Sequence, residues 1–313
     1  MSRPSVVVPS LGSPHLAACL EAVTRLDPPP AQVVVVLSGA HADIPCPDHV
    51  HAIRQRRRLG FAAAVNGGLA ALPEDCELVA LLNDDAVPEP TWLPNLAAAL
   101  LADPELAAVQ GTVSDADGLL VDGRGITLDR YGLPVQVDRG AACEPEPAHG
   151  RTLLAVSGTA AMLRLRALRA AELAPGVVFD PRFGSYHEDL DLGLRLGRLG
   201  WRAAWVPGAV CCHLGSATAN ALRWRHPWWV LANRWRALAG NLRWSLLVAS
   251  LPRLLRGELR AARTLARYNP RAVVVAAAVV AAAPVLIAAG LARPSPGVRL
   301  DQLPWGLRCA SPS

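Results

Sequence analysis

Short, wholly apolar runs alternate along the first part of the chain with segments that have helical spacing or alanine-rich composition. The continuous apolar runs are residues 5–8, 33–37 and 78–82. The helix-like segments are residues 14–26, 62–72 and 91–102. Because the runs are apolar throughout, they predict strands of a parallel sheet that is covered on both faces. Their alternation with helices predicts a doubly wound α/β sheet, in which ligands bind beyond the carboxyl ends of the strands.

Further along, the pattern predicts more strands and one amphipathic helix. Strands are predicted near 106–109, within 152–163 and over 201–207, with Gly- and Asp-rich hairpins between 111 and 150. A helix is predicted over 188–199, where a glycine follows the last periodic residue. Its spacing places Leu190 and Leu194 on one face and Arg195 and Arg198 on the opposite face.

The composition changes near residue 222. Residues 222–271 are basic and contain five of the nine tryptophans, whereas residues 272–292 carry no charge. The second segment is long enough to cross a bilayer at about 1.5 Å per residue. Much of it is alanine and Pro284 interrupts it, so a spanning helix and an in-plane or protein-packed helix are both open. We predict a catalytic domain over 1–221, a membrane-associating helical region over 222–292 and a flexible tail over 293–313.

The net charge of +5 hides two parts of opposite sign. Residues 1–221 carry 17 arginines against 24 acids, and residues 222–271 carry eleven arginines against the single acid Glu258. No lysine occurs anywhere in the chain. This division predicts an anionic partner for the basic segment alone, and its position beside an uncharged run favours an anionic membrane surface over nucleic acid.

Cysteine usage and the first residues indicate the compartment. The seven cysteines are an odd number and form no C-x-x-C pair, a spacing that fits neither a disulfide framework nor a zinc site and suggests reducing conditions. The opening MSRPSVVVPS is too short for a signal peptide. We therefore expect the catalytic half to lie in the cytoplasm.

Adjacent carboxylates follow the third buried strand, at Asn83-Asp84-Asp85. With no lysine in the chain and no arginine nearby in sequence, they repel one another unless a cation joins them. A hard divalent ion that also binds phosphate oxygens would do so. A turn with an N-cap for the helix near Thr91 is the alternative.

Two further sites carry chemistry in this pattern. His187-Glu188-Asp189-Leu190-Asp191 places three carboxylates at a helix N-terminus, where they either cap the helix or, in a cleft, accept a proton from a substrate hydroxyl. His213 follows a strand and precedes Leu-Gly-Ser, which allows close backbone approach; a structural histidine is the alternative to a ligand.

Taken in order, these motifs resemble those of the family 2 inverting glycosyltransferases with the GT-A fold, particularly the rhamnosyltransferase-like, cell-surface-polysaccharide branch. The motifs are PSLG, RLGF with the later Asn66, LLNDDAVPEPTWL, SGTAAML, FDPRFGSYHEDLDLGLRLGRLGW and HLGSAT, which together cover roughly residues 4–240. The resemblance implies an α/β fold of the Rossmann-like nucleotide-diphospho-sugar transferase type, with a mixed sheet flanked by helices and a basic helical C-terminal extension.

The resemblance also implies roles for individual residues. Asp189 matches the catalytic base, beside Glu188, while Asp85 and His213 match the ligands of a Mg²⁺ or Mn²⁺ ion. The residues implied in nucleotide or substrate binding are Pro9, Ser10, Gly12, Arg58, Asn66, Asp84, Gly158 and Thr159. The second strand departs from the family, which usually has an acid there to hold the nucleoside. This chain has Ser38 at that place, so base recognition is expected to use Ser38, a backbone group or Asp43.

The implied activity is a single displacement that moves a sugar from a nucleotide-diphosphate donor to a hydroxyl of a glycan or polyprenyl-linked acceptor. A catalytically impaired sugar-nucleotide-binding or scaffold protein at the membrane is the alternative, because the second-strand acid is missing. A nucleotidyltransferase is disfavoured, since PSLGSPHL lacks a basic residue. Arginines before residues 272–292 predict that residues 1–271 lie at the cytoplasmic face of the plasma membrane.

Overall fold

Four parallel strands form one half of a mixed sheet. The computed structural model describes residues 3–147, 149–215, 225–267 and 270–293. The four strands are β1 (Ser5–Ser10), β2 (Val33–Ser38), β3 (Val50–Gln55) and β4 (Leu78–Leu82), in the spatial order β4-β1-β2-β3. β1, β2 and β4 are buried throughout, as their uninterrupted apolar runs predict.

Helices cover this half of the sheet. They are α1 (Leu16–Thr24), α2 (Phe61–Leu69) and α3 (Trp92–Ala102), each within a few residues of its predicted bounds. Leu16 and Leu20 of α1 pack with Val6 and Val35 on one face of the sheet. Val65 of α2 packs on the other face, so the sheet is covered on both sides.

The other half of the sheet contains two strands that run opposite to the rest along its main path. Its strands are β5 (Ala86–Pro88), β6 (Leu106–Ser114), β7 (Val121–Gly123), β10 (Arg151–Leu153), β11 (Ala160–Arg164) and β12 (Arg202–His213). β8 (Ile126–Leu128) and β9 (Pro134–Gln136) form a separate hairpin. β11 is antiparallel to both β4 and β6, and β12 is parallel to β6. The carboxyl ends of β1, β2, β4, β6 and β12 therefore share one edge, where β11 begins.

Strand β3 was missed because its sequence, VHAIRQ, mixes polar and apolar residues. It lies at the end of the sheet and pairs only with β2 in the described part of the chain, so only its first residue is buried. β1 also continues two residues past its predicted end, because Pro9 and Ser10 remain paired with β2. The segment 152–163 is divided between β10 and β11, with a loop between them.

The predicted amphipathic helix is α5 (Glu188–Arg198), which follows the short α4 (Leu165–Ala170). The spacing predicted Arg195 on the face away from Leu190 and Leu194, and the structure adds that this face is covered as well. Arg195 is fully buried, donates to Asp191 Oδ2 at 3.0 Å and also bonds the carbonyl oxygens of Ala171 and Val178.

Three helices follow the sheet: α6 (Arg225–Asn241), α7 (Trp244–Ala266) and α8 (Ala272–Ala292). α6 packs against α5 and lies along α8, while α7 packs against both α6 and α8. The predicted boundary at 221 and the tail after residue 293 lie outside the described residues. Arg293 itself, expected to begin a flexible tail, is buried.

Candidate active site

Ser10, at the carboxyl end of β1, and Asp84, just beyond β4, meet at the shared edge of the sheet. Ser10 Oγ donates to Asp84 Oδ2 at 2.6 Å, and the backbone N–H of Ser13 donates to the same oxygen at 3.2 Å. Burial raises the pKa of Asp84, although these hydrogen bonds oppose the shift. Asp84 therefore shapes the loop after β1. The alternative of a turn with an N-cap is correct for the turn, because the Ala86 N–H donates to the Asn83 carbonyl at 3.1 Å. It is wrong for the cap, because the N-cap of α3 is Thr91, which makes no side-chain capping bond.

Asp85 and His213 are brought together by pairing between β5 and β12. His213 pairs with Ala86, and the backbone N–H of Leu214 donates to the Asp85 carbonyl at 2.8 Å. His213 Nε2 consequently lies 3.3 Å from Asp85 Oδ1. The predicted pairing of an early carboxylate with a late histidine, 128 positions apart by their numbers (213 − 85), is thus present in the fold.

Asp122, which sequence reasoning missed, lies on the other side of the imidazole. Its Oδ2 lies 2.9 Å from His213 Nδ1. Burial alone would lower the pKa of His213, but hydrogen bonds to Asp122 and Asp85 raise it to about 9. The hydrogen bond from His213 in turn holds the pKa of Asp122 below its ordinary range, against the effect of burial. No sequence signal marks Asp122, because it lies in the hairpin region where periodicity decides little.

The Asp85 carboxylate fits a divalent cation. Its Oδ1 is buried and accepts no well-directed hydrogen bond from any described residue, which leaves a negatively charged oxygen short of a partner. Among the described residues no three Asp, Glu, His or Cys side chains converge on one point. Asp85 and His213 could therefore supply two ligands, and phosphate oxygens or water would have to supply the others.

Asp189 lies in the first turn of α5 and faces the loop before β11. Its Oδ2 accepts the backbone N–H of Gly158 at 3.3 Å, and its Oδ1 accepts that of Leu190 at 2.8 Å. Asp189 and Gly158 also line a largely apolar cavity of about 190 Å³ between α5 and the sheet. Burial raises the pKa of Asp189, and the two N–H groups oppose the shift.

Glu188 is more deeply buried than Asp189, and its Oε2 has no hydrogen-bond partner among the described residues. Burial, with the adjacent negative charge of Asp189, raises the pKa of Glu188 well above its ordinary value. Two neighbouring buried carboxyls cannot both ionise cheaply. We therefore assign the proton of this pair to Glu188 and the negative charge to Asp189.

The loop 157–159 contacts both Asp189 and the segment after β4 that carries Asp84 and Asp85. The Asn83 N–H, next to Asp84, donates to the Thr159 carbonyl at 2.8 Å, and Gly158 contacts Asp189. A side chain at Gly158 would approach within 2.6 Å of the Phe61 ring, so glycine is required there for close packing. The predicted residues Gly158 and Thr159 thus lie between the candidate base and the candidate metal ligands.

The backbone before Asp189 is strained and is held by a residue of α6. Tyr186 and His187 have positive φ values of 73° and 68°. Asn233, fully buried, donates through Nδ2 to the carbonyl oxygens of Phe183, Ser185 and Tyr186 at 2.7, 3.0 and 2.9 Å. Residues 222–292 were predicted to associate with the membrane, and the contact of Asn233 with the loop before Asp189 was not predicted.

A second connection from the C-terminal helices reaches α5 itself. Arg293 donates from Nη2 to Asp191 Oδ1 at 2.5 Å and from Nη1 to Asp180 Oδ2 at 3.2 Å. Asn241, the last residue of α6, donates to the same Asp191 oxygen at 2.9 Å. Asp191, the third acid of the predicted cluster, is therefore a buried structural anchor, and neither the motif nor the spacing distinguished it from its neighbours.

The residues predicted to surround the donor are dispersed around the same edge. Ser38 is buried, and its hydroxyl accepts the Leu59 N–H at 3.2 Å, so it supports the loop that carries the exposed Arg58. Both ends of the Asn66 amide bond the backbone of Phe179, at 2.7 and 2.9 Å. Direct contact of these residues, and of Pro9 and Gly12, with a nucleotide stays a prediction.

The chain matches one family model and two curated sequences. Residues 3–233 match the sequence model of the family described as Glycosyltransferase like family 2. Over 97 residues the chain is 39% identical to N-acetylglucosaminyl-diphospho-decaprenol L-rhamnosyltransferase of Mycobacterium tuberculosis, in two strains. That match covers 27% of this chain and 31% of the relative, so the chain spans about a third of the length of the curated relatives it matches.

Two solved structures share the fold. A mannosyltransferase, PcManGT from Pyrobaculum calidifontis, in complex with GDP-Man and Mn²⁺, is 22% identical with a TM-score of 0.54, over 93% of this chain and 79% of that one. GalNAc-T7 with UDP, GalNAc and Mn²⁺ is 15% identical with a TM-score of 0.56, over 76% of this chain and 48% of that one. Both neighbours are GT-A glycosyltransferases, which confirms the predicted fold class.

Proposed function

Because the chain belongs to glycosyltransferase family 2, we propose that it moves a sugar from a nucleotide-diphosphate donor to a hydroxyl of a glycan or lipid-linked acceptor in cell-envelope or surface polysaccharide synthesis. One observation carries this assignment: a partly buried carboxylate, Asp189, is linked through the loop 157–159 to the carboxylates at the end of β4. The name of the mycobacterial relative describes a decaprenol-linked substrate, and this similarity supports a lipid-linked acceptor.

Asp189 is the general base of this proposal. The attacking acceptor oxygen forms a bond to the anomeric carbon, the bond from that carbon to the diphosphate oxygen breaks, and the acceptor proton passes to Asp189. Attack from the face opposite the leaving group inverts the configuration. Hydrogen bonds from Gly158 and Leu190 fix the carboxylate. A positioned base typically contributes about 10²–10⁴ in rate.

Asp85 and His213 are the proposed ligands of Mg²⁺ or Mn²⁺. Such an ion, when bound, neutralises the charge that develops on the diphosphate leaving group. The buried Asp85 Oδ1, which faces His213 but accepts no well-directed hydrogen bond from a described residue, and the orientation of His213 by Asp122 support this role. The presence of Mn²⁺ in both structural neighbours is consistent with it. Glu188, held protonated beside Asp189, keeps a second negative charge out of the site.

The donor nucleotide is proposed to lie along the edge formed by the ends of β1, β2 and β4. The residues proposed to contact or shape its site are Pro9, Ser10, Gly12, Ser38, Arg58, Asn66, Asp84 and Thr159. Ser10 and Asp84 act together, since each is the hydrogen-bond partner of the other. On family resemblance alone, dTDP-rhamnose or a UDP-hexose is the expected donor.

The C-terminal helices are proposed to attach the protein to the cytoplasmic face of the plasma membrane. Within the described residues, α8 is the one helix whose length and composition would allow it to cross a bilayer. Exposed arginines along α7 would pair with anionic lipid phosphates, and Trp244, which is 57% exposed, suits the interface. This location would bring a lipid-linked acceptor to the site.

The test separates chemistry from donor binding. Purified full-length protein is screened for binding of UDP-, GDP- and dTDP-sugars, and then Asp189→Asn is compared with wild type. The asparagine variant keeps the shape of the side chain but cannot accept the proton, so we expect turnover to fall about 10²–10⁴-fold with donor affinity nearly unchanged. Turnover within a few-fold of wild type would exclude Asp189 as the base. Donor binding without turnover in wild type would favour the sugar-nucleotide-binding or scaffold alternative.

A further inference from the structure

Helix α8 has one face in the protein and one face that no described residue covers. Its buried residues recur every three or four positions along the whole helix: Ala272, Ala276, Val279, Ala283, Leu286, Ile287 and Gly290. This stripe packs against α6 and α7. The opposite face consists only of alanine, valine and Pro284, with Val274 and Val285 exposed by 72% and 70%. An exposed face with no polar side chain over six turns calls for an apolar environment.

The position of Arg293 excludes α8 from crossing a bilayer in this fold. The 21-residue helix is about 32 Å long, close to the thickness of a hydrocarbon core of about 30 Å. If it spanned the membrane, Arg293 would emerge on the side opposite the catalytic sheet. Instead, Arg293 bonds Asp191 at 2.5 Å and Asp180 at 3.2 Å, and both carboxylates belong to the catalytic part of the chain. The first residue of α8, Ala272, is also buried in the protein.

Helix α7, which packs against α8, also exposes apolar side chains and carries exposed arginines. Trp244, Val248, Leu255 and Leu259 are exposed by 57, 40, 40 and 61%, and their spacing places them on one side of the helix. The exposed arginines of the same helix are Arg253, Arg256, Arg260 and Arg263. Its single acid, Glu258, is buried and accepts from Arg234 at 2.5 Å, so it does not offset the surface charge. A surface of aliphatic side chains beside uncompensated arginines matches an anionic lipid interface.

We propose that α7 and α8 form a membrane-binding face that enters one leaflet only. The uncovered side of α8 lies in the plane of the membrane at the boundary of the acyl chains, and the arginines of α7 pair with phosphates of anionic phospholipids. The occupant of this face is an anionic lipid bilayer. This deepens the membrane attachment proposed above, on which it rests, by fixing that both ends of α8 stay on the side of the catalytic sheet.

The first test measures binding to vesicles. Full-length protein is floated with vesicles of phosphatidylcholine containing phosphatidylglycerol, and with phosphatidylcholine alone. Val274→Glu/Val285→Glu places two charges on the uncovered face of α8 at exposed positions, so the fold should tolerate them. Leu119→Glu, at a residue that is 68% exposed in the hairpin before β7, is the matched control. We expect wild type and the control to float with anionic vesicles, and the double variant to lose at least ten-fold in partitioning.

The second test establishes topology. Full-length protein with a C-terminal epitope tag is expressed in cells, and sealed vesicles with the cytoplasmic side outward are treated with protease. Digestion of both the catalytic domain and the tag is the expected result, whereas a tag protected until detergent is added would show a spanning helix and overturn the proposal. Flotation of the double variant at the wild-type level would overturn the proposal as well. So would a wild-type protein that binds no vesicles but forms a dimer, if the double variant is a monomer. Neither test uses a sugar nucleotide, so an inactive protein that floats would reject the transferase proposal alone.

Discussion

The Asp122 carboxylate lies 2.9 Å from Nδ1 of His213 and fixes which ring nitrogen is presented to Asp85. Because the pKa of His213 is raised, a metal must displace the Nε2 proton, after which the imidazole donates Nδ1–H to Asp122 and offers its Nε2 lone pair. Loss of such a carboxylate partner typically costs about 10–100-fold in metal affinity. We expect Asp122→Asn to weaken Mn²⁺ binding by about this factor. Titration calorimetry with Mn²⁺ alone measures the change.

Asp117→Asn is the matched control, because Asp117 is an exposed aspartate in the same hairpin. Its Mn²⁺ affinity should equal that of wild type. If Asp122→Asn also binds Mn²⁺ as tightly as wild type, Asp122 does not orient a metal ligand, and the contact with His213 is structural only.

The raised pKa of Asp189 makes a prediction for the pH profile of the transfer reaction. A general base acts only when deprotonated, and a group with a raised pKa becomes protonated at a higher pH than free aspartate. Turnover at saturating substrates should therefore be present above the raised pKa of Asp189 and be lost as the pH falls through it. A pH–rate profile locates this acid limb, which should lie above the range ordinary for an aspartate.

Glu188→Gln tests which carboxyl of the pair, Glu188 or Asp189, is the general base. Since Glu188 is assigned the proton, the neutral amide should resemble it and leave turnover within a few-fold, with the acid limb still present. Loss of the acid limb in Glu188→Gln would transfer the role of base from Asp189 to Glu188.

Asn233→Ala should impair turnover more than donor binding. The variant removes the donor to three carbonyl oxygens of the strained loop before α5. Leaving such buried groups unsatisfied costs about 1–3 kcal/mol each in unfavourable cases, and the loop would relax and displace Asp189. The expected result is a lower kcat with an unchanged dissociation constant for the donor. Asn95→Ala, which removes one amide-to-carbonyl bond to Gly208, is the control and should keep its kcat. A similar fall in kcat for both variants would mean that a general loss of stability is responsible.

Two arginine variants should differ sharply in their effect on stability. Arg293→Met removes one of the hydrogen-bonded partners of two buried carboxylates, which keep Arg182 and Arg195, and is expected to lower the free energy of unfolding by about 1–3 kcal/mol. Arg25→Met breaks an exposed pair with Glu21, where both side chains are more than half exposed, and should cost less than about 1 kcal/mol. Urea unfolding of the two purified variants compares them. Equal effects would show that Arg293 contributes little to holding α5.

The sequence was informative wherever one local pattern sufficed. β4, an unbroken apolar run, has its predicted bounds, and Asp85 and His213 meet because each follows a strand that ends at the same edge. β3 was missed because its exposure at the end of the sheet removes the apolar signal. The GT-A fold was predicted from the order of the motifs along the chain, because an ordered set of motifs is more specific than any one of them.

Long-range partners of the site could not be predicted in this way. Asn233 and Arg293 have no local feature that distinguishes them from other polar residues near them in sequence. Their role arises only when α6 packs against α5 and the end of α8 brings Arg293 to Asp191. The burial of Arg195 could not be predicted for the same reason, since helical spacing does not reveal that both faces of α5 are covered. The composition of residues 222–292 predicts membrane association, but it gives no sign that Asn233 supports the loop before α5.

Arg293 and Asp191 are separated by 102 positions along the chain, and this distance sets an order of events during synthesis. Domains generally fold from the N-terminus as the ribosome extends them. The sheet and α5 are therefore complete in sequence well before the arginine that closes over Asp180 and Asp191 has been translated. Until α8 has emerged, a nascent chain therefore lacks the contact of Arg293 with Asp191 of α5. If α7 and α8 bind the membrane as proposed, the contact of Arg293 with α5 would form in the same interval as that membrane-binding face.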